Sequence, residues 1–114
     1  MNSTKKPGVL IADDDPLVSE MIRGTLEDLG YYVTGEATNG GEAIELTQLL
    51  HPDIVLMDIE MPGMSGIEAV RSIKSRYPEI QILMQTVFED DDRVFDSICA
   101  GASGYILKNF LNTK

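Results

Sequence analysis

The chain has a single cysteine in 114 residues, which excludes an intrachain disulfide and suits a reducing, cytoplasmic setting. Positive charge is also scarce. Nine Lys and Arg stand against nineteen Asp and Glu, a formal net charge of -10, so the basic stripe that a phosphate-backbone-binding surface needs is missing and direct nucleic-acid binding by this chain is not expected. Long apolar runs are lacking too. Residues 1–8 carry Lys5 and Lys6 and lead into the short run Val9-Leu10-Ile11-Ala12, which is neither a secretory leader nor a membrane span. Internal repeats, low-complexity tracts and linkers are absent. What remains, 43% hydrophobic and 25% charged residues, is the composition of one globular domain with a core of its own.

Short apolar runs alternate with longer amphipathic stretches, the βα pattern of a parallel sheet. The first strand is expected over 8–13. A helix follows, with Asp15 as N-cap, Pro16 at its first position, Val18, Ile22, Leu26 and Leu29 at spacings of three and four, and Gly30 as its stop. The second strand is expected over 31–36. Asn39-Gly40 opens a helix that turns Ala43, Leu46 or Thr47, and Leu50 inward, and His51-Pro52 ends it. The third strand, 53–58, carries an unbroken Ile-Val-Leu-Met run, as expected of a strand covered on both faces. After the loop Met61-Pro62-Gly63-Met64, a third helix presents Ile67, Val70, Ile73 and Tyr77, and Pro78 separates it from a strand over 80–85. Glu89-Asp90-Asp91-Asp92 is a favourable helix start facing the macrodipole. The fourth helix runs through Val94 and Ile98 to Gly101, and the last strand covers 104–107. In this reading Cys99 is a small buried apolar residue, and His51 sits near the last carbonyls of its helix.

If these runs are parallel strands of one sheet, their carboxyl ends share one edge. Asp13-Asp14-Asp15, Asp58, Thr86 and Lys108 then lie along it, beside the point where a doubly wound sheet must reverse its strand order. Such a cluster of carboxylates, a hydroxyl and an ammonium suits a divalent cation and a phosphoryl group. A nucleotide or flavin binder would want a glycine-rich or hydroxyl-rich loop after the first strand, and Asp13-Asp14-Asp15-Pro16 would repel a phosphate instead.

In order and spacing, four stretches resemble the receiver domain of bacterial response regulators over residues 9 to about 109. They are Leu10-Ile-Ala-Asp-Asp-Asp-Pro-Leu17, the segment from Pro52 through Asp58-Ile-Glu-Met-Pro-Gly-Met-Ser-Gly66, Thr86, and Ala100-Gly-Ala-Ser-Gly-Tyr-Ile-Leu-Lys108. Thr86-Val-Phe-Glu-Asp-Asp-Asp92 and Lys108-Asn109 resemble the subfamily (LuxR/NarL-like) whose output is a helix-turn-helix DNA-binding domain. The resemblance implies a flavodoxin-like α/β fold, a five-stranded parallel sheet of order 2-1-3-4-5 with helices on both faces. That order belongs to the family, and the local residue pattern alone does not dictate it.

The resemblance further implies that Asp58 is the phosphoacceptor, that Asp13 and Asp14 hold Mg²⁺ with the backbone carbonyl of Glu60, that Thr86 and Lys108 contact the phosphoryl group, and that Thr86 and Tyr105 form the switch. The implied donor is a phosphohistidine on a sensor histidine kinase. The physical chemistry agrees. Two carboxylates ~4 Å apart repel by roughly 4 kcal/mol at a protein-surface dielectric, and Mg²⁺ commonly accepts one or two carboxylates while keeping other positions for water and phosphate oxygens.

Three features depart from the family pattern. Asp15 makes a triple carboxylate, and we assign it to the helix cap. Gln85 stands where an aliphatic residue is expected, and a buried amide left unsatisfied costs ~1–3 kcal/mol. The usual fifth helix is missing or reduced to Phe110-Leu111, so an apolar surface is expected to be exposed and to favour a homodimer or other association. The whole chain is expected to be one receiver domain, with any output module elsewhere. Two other functions compete. An aspartyl-nucleophile phosphohydrolase would want a second Asp where Glu60 stands, together with a cap insertion. A non-phosphorylated dimerisation module would not need the five site residues present here.

Overall fold

The computed structural model describes residues 6–86 and 91–107. The elements, in chain order, are β1 (Gly8–Ala12), α1 (Pro16–Asp28), β2 (Tyr32–Ala37), α2 (Gly40–Leu50), β3 (Ile54–Asp58), α3 (Gly66–Arg76), β4 (Gln81–Thr86), α4 (Asp91–Ala100) and β5 (Gly104–Leu107). All neighbouring strands pair in parallel, and the order across the sheet is β2-β1-β3-β4-β5. The α/β doubly wound architecture and its strand order are those the family resemblance implies.

Local chemistry sets the element starts. Pro16 opens α1 and Asp15 caps it, its Oδ1 accepting the Leu17 N–H at 3.0 Å. Asn39 caps α2 by accepting the Glu42 N–H at 2.8 Å. Ser65 and Glu68 form a capping box at the start of α3. His51 ends α2 in the left-handed region at φ 50°, an uncommon place for a side chain other than glycine. Its N–H donates to Thr47 O at 3.0 Å, and its ring meets Tyr77 edge-on at 6.3 Å.

The two faces of the sheet are covered unequally. Leu10, Ala12, Val55, Met57, Ile82 and Met84 point to one side, where they form the larger core with Ala43 of α2, Ala69, Val70 and Ile73 of α3 and Ala100 of α4. Val9, Ile11, Val33 and Leu56 point to the other side and pack with Ile22, Val18 and Leu26 of α1. The alternation follows from the two-residue repeat of a strand, and the apolar β1 and β3 runs follow from burial on both faces.

Several helix ends differ from the sequence expectation. Leu29, the C-cap of α1, is exposed, and Leu50, the last residue of α2, is only partly covered, with its side chain lying against Gly35 of β2. Cys99 is corrected outright. It is exposed, since α4 turns Ser97 and Ala100 inward at a spacing of three and leaves Ile98 and Cys99 outside. Ser97 is tolerated there because its hydroxyl donates to Arg93 O at 2.8 Å.

Beyond α1, the second face is open among the described residues. A groove of about 420 Å³ is lined by Ile22, Thr25, Leu26, Leu56, Gln85 and Ile106. Gln85 is 3% exposed, and its Nε2 is, among the described residues, the one buried side-chain polar atom without a hydrogen-bond partner. The expected reduction of the fifth helix to Phe110-Leu111 falls on residues outside those described. A buried amide nitrogen without an acceptor forfeits about 1–3 kcal/mol. Gln85→Met keeps the length of the side chain and removes the orphan, so it should raise the urea midpoint with an unchanged m-value, by about 1 kcal/mol in unfolding free energy. A lower midpoint would show that the amide is satisfied in solution.

Candidate functional site

The carboxyl ends of β1 and β3 are adjacent in the sheet, since Ala12 pairs with Met57. The next residue on each strand is therefore an acid, Asp13 beside Asp58. Carboxylate oxygens of Asp13, Asp14 and Asp58 all lie within 4.8 Å of one another. Asp13 is 1% exposed and Asp58 8%, whereas Asp14 is exposed and gives the cluster its opening to solvent.

Backbone contacts fix the acids. Asp13 N–H donates to Ala37 O at 2.9 Å, which continues the β1–β2 ladder past the strand end. Asp13 Oδ1 accepts the Asp15 N–H at 2.9 Å, so the turn into α1 is closed by the carboxylate itself. Asp58 Oδ1 accepts the Glu60 N–H at 3.2 Å, and Ile59 N–H donates to Gln85 O at 3.1 Å, which ties the loop after β3 to β4. At the opposite edge of the sheet, just before β3, Asp53 serves the backbone instead and accepts the Gly8 N–H at 2.7 Å. The acids at the two ends of one strand thus have different surroundings.

Gly66 lets the first turn of α3 approach this loop. Its N–H donates to Ile59 O at 2.9 Å, and a Cβ at this position would sit 2.0 Å from Asp58 O. No side chain fits against a backbone oxygen so close.

Of the residues expected at the site from sequence, Asp13, Asp14 and Asp58 are gathered together, and Asp15 stands apart as the α1 cap. Glu60 follows two residues after Asp58 in the loop, with its carboxylate 2.6 Å from Arg93 Nη1 on α4. Thr86 ends β4 paired with Leu107, and Tyr105 pairs with Met84 two residues earlier. Tyr105 is 44% exposed. The side chain of Thr86 and all of Lys108 lie outside the described residues, as do Phe88, Glu89 and Asp90. Arg93 is the site neighbour that sequence reasoning missed. It lies 33 positions from Glu60, and no local pattern connects the two.

Three carboxylates on one rim are hard oxygen donors of the kind Mg²⁺ or a similar divalent cation takes. Asp13 and Asp58 are almost fully buried and each accepts a backbone N–H that fixes its orientation, so the donor set fits such an ion. No helix among the described residues is long and apolar enough to cross a membrane.

The fold and this acidic edge define a signalling domain of the CheY-like, flavodoxin-like class. The chain belongs to the response regulator receiver domain family, whose model matches residues 9–114. It is 43% identical over 104 residues to the uncharacterized transcriptional regulatory protein YxjL of Bacillus subtilis, covering 90% of this chain and 48% of that protein. It is 42% identical over 102 residues to the chemotaxis protein CheY of Thermotoga maritima, covering 90% and 85%. Among solved structures, a LuxR-family two-component response regulator from Aurantimonas sp. SI85-9A1 superposes with a TM-score of 0.87 at 38% identity, over 91% of this chain and 75% of that one. The chain spans about half the length of YxjL and of other curated regulators it matches.

Gly66→Ala should distort the loop that carries Asp58. The expected result is a loss of stability of at least about 1–3 kcal/mol, the usual cost of overpacking a close-packed site, together with shifted amide resonances from Asp58 to Glu60. Unchanged stability and spectra would contradict the close approach of α3 to this loop.

Proposed function

We propose that this chain is the phosphoacceptor of a two-component relay, with Asp58 accepting a phosphoryl group from a phosphohistidine of a sensor histidine kinase. The observation that carries the proposal is the convergence of Asp13, Asp14 and Asp58 at one sheet edge, oxygens within 4.8 Å, in a chain of the receiver family. An Asp58 carboxylate oxygen forms the new bond to phosphorus while the phosphorus–nitrogen bond of the donor breaks, and the departing imidazole takes up a proton. The product is an acyl phosphate on Asp58, and hydrolysis of it resets the domain.

Asp13, Asp14, Asp58 and the backbone carbonyl of Glu60 would hold Mg²⁺, with Asp15 left to cap α1. When bound, that ion supplies positive charge to the transferring phosphoryl oxygens. The chain's own task is to position. The Ala37 and Gln85 carbonyls hold the strand ends, and the Glu60 N–H orients Asp58. Lys108 and Thr86 are assigned to the phosphoryl oxygens. Tyr105, on the strand next to Thr86, is assigned the rotamer change that reports phosphorylation at the surface of α4 and β5.

The curated relatives include transcriptional regulators, which supports a transcriptional output in a longer protein, with this domain as its regulatory part and the cytoplasm as its location. DNA contact by this domain itself is disfavoured by its net charge of -10. The apolar groove beside α1, with the Gln85 amide at its wall, supports association with a second copy through that face. The competing phosphohydrolase reading lacks the second Asp, since Glu60 occupies that place.

The test is intact mass after incubation with acetyl phosphate. One added phosphoryl group is expected with Mg²⁺, none without it, and none for Asp58→Asn. Sustained turnover of a generic phosphate ester such as p-nitrophenyl phosphate would favour the phosphohydrolase.

A further inference from the structure

Glu60 is attached at both ends. Its N–H donates to Asp58 Oδ1 at 3.2 Å, and its carboxylate receives Arg93 Nη1 of α4 at 2.6 Å. The two side chains are 34% and 56% exposed for Arg93 and Glu60 respectively. As a source of stability such a pair is worth little, because water screens it and two long side chains must be ordered. Its location gives it a different importance. Glu60 is two residues from Asp58, in the loop that borders a cluster already holding three carboxylates. A fourth carboxylate free to turn toward the cluster would draw a cation in and would repel an anionic phosphodonor.

We propose that Arg93 is a positioning residue for the acidic site: by clamping Glu60 onto α4, it keeps a fourth carboxylate away from the cation and thereby sets the affinity of the site for a divalent ion. The proposal rests on the reading of Asp13, Asp14 and Asp58 as a cation-binding phosphoacceptor site. It makes the Arg93–Glu60 contact a link between the loop after β3 and α4, elements far apart in sequence. A cation that competes for Glu60 must also loosen its hold on α4, because coupling between two binding events is reciprocal.

Mg²⁺ titration of the 114-residue protein by calorimetry at low ionic strength tests this, using wild type, Arg93→Gln, Arg93→Lys, Glu60→Gln and the double variant Glu60→Gln/Arg93→Gln. Circular dichroism confirms that each is folded. Freeing one unit charge ~8 Å from a divalent ion in a water-like dielectric tightens binding by about fivefold, and this is expected for Arg93→Gln. Arg93→Lys keeps the clamp's charge and should stay within about twofold of wild type. In the Glu60→Gln background the Arg93→Gln effect should fall below about twofold, since the carboxylate it acts through is gone.

Two results overturn the inference. One is wild-type affinity in Arg93→Gln. The other is the same tightening with and without the Glu60 carboxylate, which would mean that Arg93 acts through its own charge alone. A wild-type protein that binds no Mg²⁺ would remove the underlying reading and this inference with it. Wild-type binding that Arg93→Gln leaves unaltered removes the inference alone.

Discussion

Mutual repulsion among Asp13, Asp14 and Asp58 is the constraint around which the carboxyl edge of this protein is built. Three carboxylates within 4.8 Å, two of them almost fully buried, oppose folding unless something else fixes them. The sheet does so. β1 and β3 are neighbours in parallel, so residues that end them are driven to one edge whatever their charge. Their apolar runs, buried on both faces, supply the free energy that keeps them there. Ladder hydrogen bonds from Asp13 to Ala37 and from Ile59 to Gln85 extend the grip beyond the strands. The absence of a side chain at Gly66 allows α3 to close on the loop. A cation bound at that edge would convert a cost of folding into a gain of binding.

The unequal covering of the sheet connects this edge to the rest of the molecule. α2, α3 and α4 share one large core on one face, whereas among the described residues α1 alone packs on the other. β4 therefore presents Gln85 to a partly open groove on the α1 side while its main-chain carbonyl holds the loop of Asp58. One residue thus touches both the groove and the acidic loop. Whatever covers the groove acts on a strand whose next residue is Thr86, so packing on that face and chemistry at the edge are neighbours in the same backbone. Arg93 makes a corresponding connection from α4 through Glu60.

Much of this was legible in the residues, for physical reasons that can be named. The β3 run announced its burial because a strand covered on both sides has no polar alternation to keep. Asp15-Pro16 announced the start of α1 because a cap acceptor and a residue without an N–H belong there. The amide at Gln85 stood out in an aliphatic run, and it proved to be buried with an orphaned nitrogen. Strand order came from family likeness, since nothing local encodes which strands become neighbours. Cys99 was misread because it shares one apolar stripe of α4 with Phe95 and Ile98, and that stripe faces outward while Ser97 and Ala100 face inward. The Arg93–Glu60 contact was invisible for a related reason: it depends on how α4 is set against the sheet, which no sequence spacing records.

The most direct test of the central claim is thermal stability of the wild-type protein and of Asp13→Asn as Mg²⁺ is added. If the three carboxylates repel one another and share a cation, Mg²⁺ raises the wild-type Tm. Asp13→Asn is then more stable than wild type without the ion and loses most of the response to it. If Mg²⁺ leaves the wild-type Tm unchanged and Asp13→Asn is the less stable protein, the acids are structural, and the account of this edge as a cation-dependent phosphoacceptor site is wrong.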